Sequence, residues 1–454
     1  MKIFQTWFAF GPWIFLVWLC FVCPGVCGSE PANTPPPPSQ LPAQIEHLAP
    51  DTSPVAVPEP DAKALSHYHS GMTLVGVFIL WNLLILMLFL FTGFSARTRS
   101  WAERWGRRWY ATFVLYCIGF GLVYYLASLP LNFYAGFIQP HSYDLSNQTF
   151  NRWLGNYVKN AVVMIGLGLV VGWFPFFMIK QSPRRWWLYL GLLAAPFLCV
   201  MEFIQPVVID PLFHRFQPLQ DQALETKILA EAARGGIESG RVYEVNMSAD
   251  TKTLNAYVTG FMGTKRIVLW DTTLKSLKED ELLFILGHEM GHYVLGHLIK
   301  LIVFNSVLII LLWYVVYRLA GRVIERFHMR FGFSSLSDFA ALPLLALLIL
   351  IVSLAGLPIP MAFSRHIEHE ADRFGLELTH NNHAAATAFV KLQQNSLGIS
   401  RPGILVKIWL FDHPSVGERI DFCNRYRPWE TGQPSRYDQY IRPQPQAIPA
   451  GQTR

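Results

Sequence analysis

Six apolar segments, near 71–93, 109–130, 161–179, 187–207, 301–320 and 339–362, recur along this chain. Each is close to the roughly 20 residues that a helix needs to cross the hydrocarbon of a bilayer. One such segment can be a buried helix of a soluble protein, but six together point to a mainly α, polytopic integral membrane fold. The fourth is interrupted by Pro196 and carries Glu202, and the last contains Pro343, Pro358 and Pro360. Kinked helices facing a polar interior tolerate such residues. Composition agrees: 52% of the 454 residues are hydrophobic and 15% are charged, where a soluble chain carries about 25% charged residues. So much apolar surface excludes disorder of the whole chain. Six Cys are too sparse for a disulfide scaffold. A formal charge of +6, with no finger, RNP or basic recognition helix, argues against a nucleic-acid partner.

Polar sequence between the segments divides the chain. Residues 1–28 read as a signal peptide or N-terminal anchor: Lys2 precedes an apolar run from Trp7 to Val22, then small Gly25 and Gly28. Residues 29–65 are a Pro-rich linker, expected to be extended and exposed. A four-helix transmembrane region at 71–207 precedes a catalytic region at 208–300. Two further spans at 301–362 lead to a second catalytic region at 363–428 and a flexible tail at 429–454. Three short loops carry basic charge: Arg97, Arg99, Arg104, Arg107 and Arg108; Lys180, Arg184 and Arg185; Arg322, Arg326 and Arg330. If all six helices span, these loops share one side, and the positive-inside rule makes it the cytoplasm. The catalytic regions then face the periplasm from the inner membrane of a bacterium.

In the polar regions, helices are expected over 219–240, 277–299, 365–379 and 384–396. Short strands at 241–248, 254–260 and 266–270 predict a small antiparallel sheet with an open edge. The chemistry lies in His288-Glu289-Met290-Gly291-His292, an HExxH motif. Residues i and i+4 share a helix face, so both imidazoles can reach one zinc ion. Glu289 is placed to take a proton from an attacking water. A third ligand is required. Downstream candidates include His297, His366, His369, His380 and His383. Glu368 is the sharper choice, because it lies directly after the last apolar segment, on a helix leaving the membrane where the HExxH helix is about to enter it. Asp372, one turn on, can orient a ligand imidazole. Glu370 faces away around the helix, and His297 is expected to pack or to face solvent.

These features resemble the M48 family of integral-membrane zinc metallopeptidases, in the Ste24/CAAX prenyl protease 1 branch. The motifs that carry the likeness are the run from His288 to His297, Ser364-Arg365 with Glu368 and Asp372, Asn255-Ala256-Tyr257, and His413-Pro414-Ser415-Val416-Gly417-Glu418-Arg419. The resemblance covers about residues 109–425. It implies one Zn²⁺ per chain bound by His288, His292 and Glu368, with Glu289 as the base. It also implies that Asn255 and Ala256 lie on an edge strand that pairs with an extended peptide or protein substrate. His413 and Arg419 would face the zinc site and hold the scissile carbonyl or nearby carboxylates. The expected function is metalloendopeptidase action on membrane-associated or envelope proteins. The alternatives are a CAAX prenyl-type processing protease and, in another class, a non-enzymatic membrane scaffold.

Overall fold

A computed structural model describes residues 53–237, 241–259 and 266–443. The expected targeting element at 1–28 lies outside them. Five helices are long and apolar enough to cross a membrane: α1 (Ala62–Phe91), α3 (Trp109–Ser142), α4 (Phe150–Gln181), α8 (His297–Phe331) and α9 (Phe339–Gly356). The expected fourth segment is the shorter apolar helix α5 (Trp186–Glu202), broken at Leu193 just before Pro196 and followed by π and 3-10 turns to Leu212. Proline removes a backbone donor, which is why this element is assembled in pieces. Trp186 packs on Trp313 and Tyr317, towards the far end of α8, whereas Leu212 receives a hydrogen bond from Lys159 near the start of α4. This element therefore carries the chain back towards the catalytic side.

The expected basic loop at 94–108 is instead a helix, α2 (Phe94–Gly106). Ser95, Ala102 and Gly106 are buried, while Trp101 and Trp105 are exposed. A Cβ on Gly106 would lie 2.5 Å from the amide nitrogen of Thr112, so only glycine lets the chain fold back onto α3 there. Arg99 forms an ion pair with Asp338 and donates to the carbonyl of Gly332 at 3.3 Å, which gathers two of the basic segments at one end. Between the ends lies an aromatic core that includes Phe113, Tyr116, Phe120, Phe176, Trp186 and Phe339.

The sheet has four strands in the order β1 (Phe216–Pro218), β2 (Arg241–Val245), β4 (Arg266–Trp270), β3 (Ala256–Thr259). It is mixed rather than antiparallel: β2 and β4 run parallel, with Val242 opposite Ile267. The reason is that β3 takes the outer edge of β4, so the chain leaving β2 returns to its flank in the same direction. β1 was not foreseen; its three residues are too few to show an alternating pattern. Helix α6 (Gln222–Arg234) is capped by Asp221. The expected helix over 277–299 ends earlier, as α7 (Glu279–Val294), and left-handed Gly296 separates it from α8. Helix α10 (Pro358–Thr379) begins directly after α9, and α11 (Asn382–Ser396), a short helix at Ile404–Leu410 and α12 (Val416–Arg425) complete the region beyond the membrane helices.

Both ends of the described chain are fastened to this region. The linker is not free at its end: Val55 exchanges two hydrogen bonds with Asn424 at 3.0 and 2.9 Å, and Ser400 donates to the carbonyl of Pro58. The expected flexible tail is packed as far as it is described. Buried Glu377 accepts from the backbone nitrogens of Arg436 and Tyr437 at 3.0 and 2.7 Å. A buried carboxylate requires such donors, and here the tail supplies them.

Helices α7 and α10 approach through small residues. A Cβ on Gly375 would lie 2.9 Å from the backbone nitrogen of His288, and one on Gly291 would lie 3.0 Å from the Cβ of Phe374 and 3.2 Å from the Cα of Ala371. Backbone cannot give way as a flexible side chain can. Gly375→Ala is therefore expected to force the two helices apart and to destabilise the fold by about 1–3 kcal/mol. Denaturant unfolding of the detergent-solubilised protein measures this, and an unchanged midpoint would refute the close-contact reading.

Candidate active site

The Gly-mediated contact brings the HExxH helix and the helix of Glu368 side by side. The Nε2 atoms of His288 and His292 face one another at 3.1 Å. Glu368 reaches both, with Oε2 3.3 Å from His288 and Oε1 3.5 Å from His292. The three donor groups fall within 4.8 Å of one another. A tetrahedral ion with bonds of about 2.0–2.1 Å separates its ligand atoms by about 3.3 Å, so these spacings fit one ion. His288 is 5% and Glu368 3% exposed, and Glu368 Oε2 is buried without a well-formed hydrogen bond. An anionic oxygen so placed is costly unless a cation meets it.

The electrostatics favour positive charge. Burial alone would raise the Glu368 carboxyl, but the neighbouring His413 and His288 hold it well below the usual carboxylate range. Burial disfavours a charged His288, yet Asp372 and Glu368 outweigh it and push its pKa up to about 10. The same field that attracts a proton attracts a metal cation, which competes for that nitrogen. Burial pushes His292 down to about 3, which leaves its imidazole neutral and its lone pair available. Two imidazole nitrogens and one carboxylate oxygen thus make a donor set suited to a divalent metal.

Glu289 lies beside this set, its carboxylate 4.0 Å from His288 Nε2. Burial pushes it up to about 7, against the pull of His288 and with a push from Glu368. A carboxylate poised near neutrality suits proton transfer at that pH.

Asp372 accepts from His288 Nδ1 at 2.9 Å, as expected from its position one turn after Glu368. Arg419 binds Asp372 through two nitrogens, with Nε to Oδ2 at 2.9 Å, and stacks on the Phe389 ring at 4.0 Å. Of the two roles expected for Arg419, the geometry favours holding a carboxylate. Burial opposes ionisation of Asp372, but Arg419 and His288 hold its pKa near about 2. Arg419 is delivered by α12, whose start is fixed by Ser415 and Glu418 in a reciprocal capping box.

His413 Nε2 lies 3.1 Å from Glu368 Oε2, and at 40% exposure its side chain borders the open face of the site. Asp412, which sequence reasoning passed over, sits 2.9 Å from His413 Nδ1 and orients the ring. Its adjacency to His413 was the available signal. Arg365 was noted only as part of a motif. It donates to the carbonyls of Lys407 and Phe411 at 3.0 and 2.6 Å and so holds the loop that presents His413. Asn255 is exposed just before β3, and its backbone N–H donates to Thr273 Oγ1 at 2.8 Å. Ala256 is buried and pairs with Leu269 of β4; among the described residues β3 pairs on that side alone. His297, given two alternatives above, is buried. His366, His369, His380 and His383 are not among the converging ligand atoms.

Arg419→Ala takes the permanent cation from buried Asp372 and leaves it only the His288 imidazole, a change expected to cost up to about 3–5 kcal/mol. Chemical unfolding checks this. Arg419→Lys, which keeps the charge but not the fork, is expected to recover only part of the loss.

Comparison with known proteins bears on these groups. Residues 218–426 match the model of peptidase family M48, and residues 64–215 match the one described as CAAX prenyl protease N-terminal, five membrane helices. The chain is 37% identical over 364 residues to the uncharacterized metalloprotease YhfN of Bacillus subtilis, covering 80% of this chain and 85% of that one. It is 31% identical over 301 residues to a CAAX prenyl protease 1 homolog of Dictyostelium discoideum, covering 65% and 68%. The crystal structure of S. mikatae Ste24p superposes with a TM-score of 0.69 at 22% identity, covering 79% of this chain and 87% of that one, which shows a common fold. The chain therefore belongs to peptidase family M48, as a polytopic membrane metalloendopeptidase of the Ste24/CAAX prenyl protease 1 kind.

Proposed function

We propose that this metalloendopeptidase uses one Zn²⁺ per chain, held by His288, His292 and Glu368, to hydrolyse peptide bonds of membrane-associated or envelope proteins. The observation that carries the proposal is the convergence of those three donor groups within 4.8 Å beside Glu289. Two imidazoles and a carboxylate with a fourth position left open are the protein ligands of a catalytic zinc site. When bound, the ion polarises the scissile carbonyl and lowers the pKa of water.

The remaining work falls to side chains. Glu289 takes a proton from the attacking water and returns it to the leaving amine. Asp372 accepts the Nδ1 proton of His288, which fixes the tautomer that leaves Nε2 free to ligate. His413, steadied by Asp412, donates to the oxygen on which charge develops. The open side of β3, from Ala256 onward with exposed Asn255 beside it, takes an extended peptide by strand addition. Recognition then rests on backbone hydrogen bonds and makes loose side-chain demands.

The membrane in this reading is the inner membrane of a bacterium, with the catalytic region towards the periplasm. The motivating observation is that the basic side chains of 97–108, 180–185 and 322–330 lie on α2 and directly after it, at the end of α4 and just after it, and on the last turns of α8, away from the end of α8 that adjoins the site, and the positive-inside rule assigns such charge to the cytoplasm. A second reading is cleavage of a prenylated C-terminus. It is favoured by the relatives named CAAX prenyl protease 1.

Casein or a peptide library incubated with purified protein tests the chemistry. Cleavage is expected, with Glu289→Gln slower by about 10²–10⁴-fold while retaining its zinc. Chelation should abolish cleavage and added Zn²⁺ should restore it. Zinc-loaded protein showing no difference from Glu289→Gln would sink the proposal. A farnesylated peptide cut in preference to its unmodified form would favour the second reading. An alkaline phosphatase fusion after residue 435 is expected to be active, and an inactive but stable fusion would reverse the orientation.

A further inference from the structure

We infer that His297 and Glu370 are positioning residues for His292, doing for that ligand what Asp372 and Arg419 do for His288. The inference rests on the assignment of His292 as a metal ligand. His297 is 1% exposed, and its Nδ1 lies 3.0 Å from His292 Nδ1, the ring nitrogen opposite the one that faces Glu368. The two rings meet edge to face, with centroids 5.0 Å apart at 77°. His297 therefore stands behind His292, outside the ligand set.

Hydrogen-bond complementarity fixes the direction of the chain. A His292 that ligates through Nε2 carries its proton on Nδ1. It donates that proton to Nδ1 of His297, which must then carry its own on Nε2. That nitrogen is buried, makes no well-formed hydrogen bond, and lies 3.5 Å from Glu370 Oε2. Glu370 is held in turn by Lys300 at 3.3 Å and by the Tyr437 hydroxyl at 3.4 Å. The orientation of one ligand is thus tied to the first turn of α8 and to the C-terminal segment.

Helix geometry alone would not produce this contact. Residues five apart on a continuous helix diverge by about 140°, so His297 would point away from His292. Gly296, at φ 65°, interrupts the helix and turns His297 back. Left-handed backbone of this kind favours glycine.

Zinc affinity tests the proposal. Wild type, His292→Ala, His297→Ala, His297→Gln and Glu370→Gln are purified in detergent, and Zn²⁺ binding is measured by competition with a chromophoric chelator. The Co²⁺ absorption spectrum reports ligand geometry. His292→Ala is expected to lose the metal. His297→Ala should weaken Zn²⁺ by about 10–100-fold and shift the Co²⁺ bands, with Glu370→Gln moving both in the same direction. His297→Gln, whose amide accepts and donates as the imidazole does, should recover much of the affinity and folds if the alanine variant does not. Wild-type Zn²⁺ affinity and Co²⁺ bands in Glu370→Gln, together with either His297→Ala behaving as wild type or His297→Gln being no better than alanine, would overturn the proposal. A wild type that binds no Zn²⁺, or a His292→Ala that binds it normally, would instead overturn the ligand assignment beneath it.

Discussion

The site depends on how closely two helix backbones can lie. His288 and His292 are fixed relative to one another by the helix that carries them. Glu368 comes from a different helix and reaches them because Gly375 and Gly291 present no side chains at the crossing. From that contact the rest follows by one turn: Asp372 falls behind His288, and Arg419 falls behind Asp372. Loss of the close approach would withdraw Glu368 and Asp372 from the histidines together.

Two buried carboxylates so near one another demand compensation, and they receive it unequally. Asp372 has a permanent cation in Arg419, backed by the face of Phe389. Glu368 has only imidazoles around it, His288, His292 and His413, whose charge depends on protonation. One carboxylate is a neutralised structural prop, while the other leaves an anionic hole that accepts a removable cation. The difference accords with the different purposes proposed for these two acids four residues apart on one helix.

The HExxH helix and the return of Glu368 to its side were legible in the sequence because both rest on local rules, helical period and re-emergence from an apolar segment. The apolar segments themselves were legible for the same reason, and even the broken one around Pro196 declared its break. Features set by distant partners were not. The direction of β2 relative to β4 depends on which edge β3 takes, and nothing within Ala256–Thr259 encodes that. The C-terminal segment has the composition of a loose tail, yet Glu377, far back in the chain, fastens it. Residues 94–108 were read by their arginines, although Ser95, Ala102 and Gly106 bury one side of a helix. His297 was misleading because its spacing from His292 is wrong for a helix, and only the left-handed backbone at Gly296 makes it right.

One further consequence follows from where the ligands sit along the chain. Between the HExxH helix and Glu368 the polypeptide runs out along α8 and back along α9. The proposed metal site therefore depends on both of those helices crossing the bilayer. A nascent chain in which only one helix of the α8–α9 hairpin crossed would strand Glu368 on the wrong side of the bilayer from His288 and His292. Such a chain could not assemble the hydrolytic centre. With the ligands proposed above, the topology would act as an interlock that keeps the protease silent until both helices have crossed.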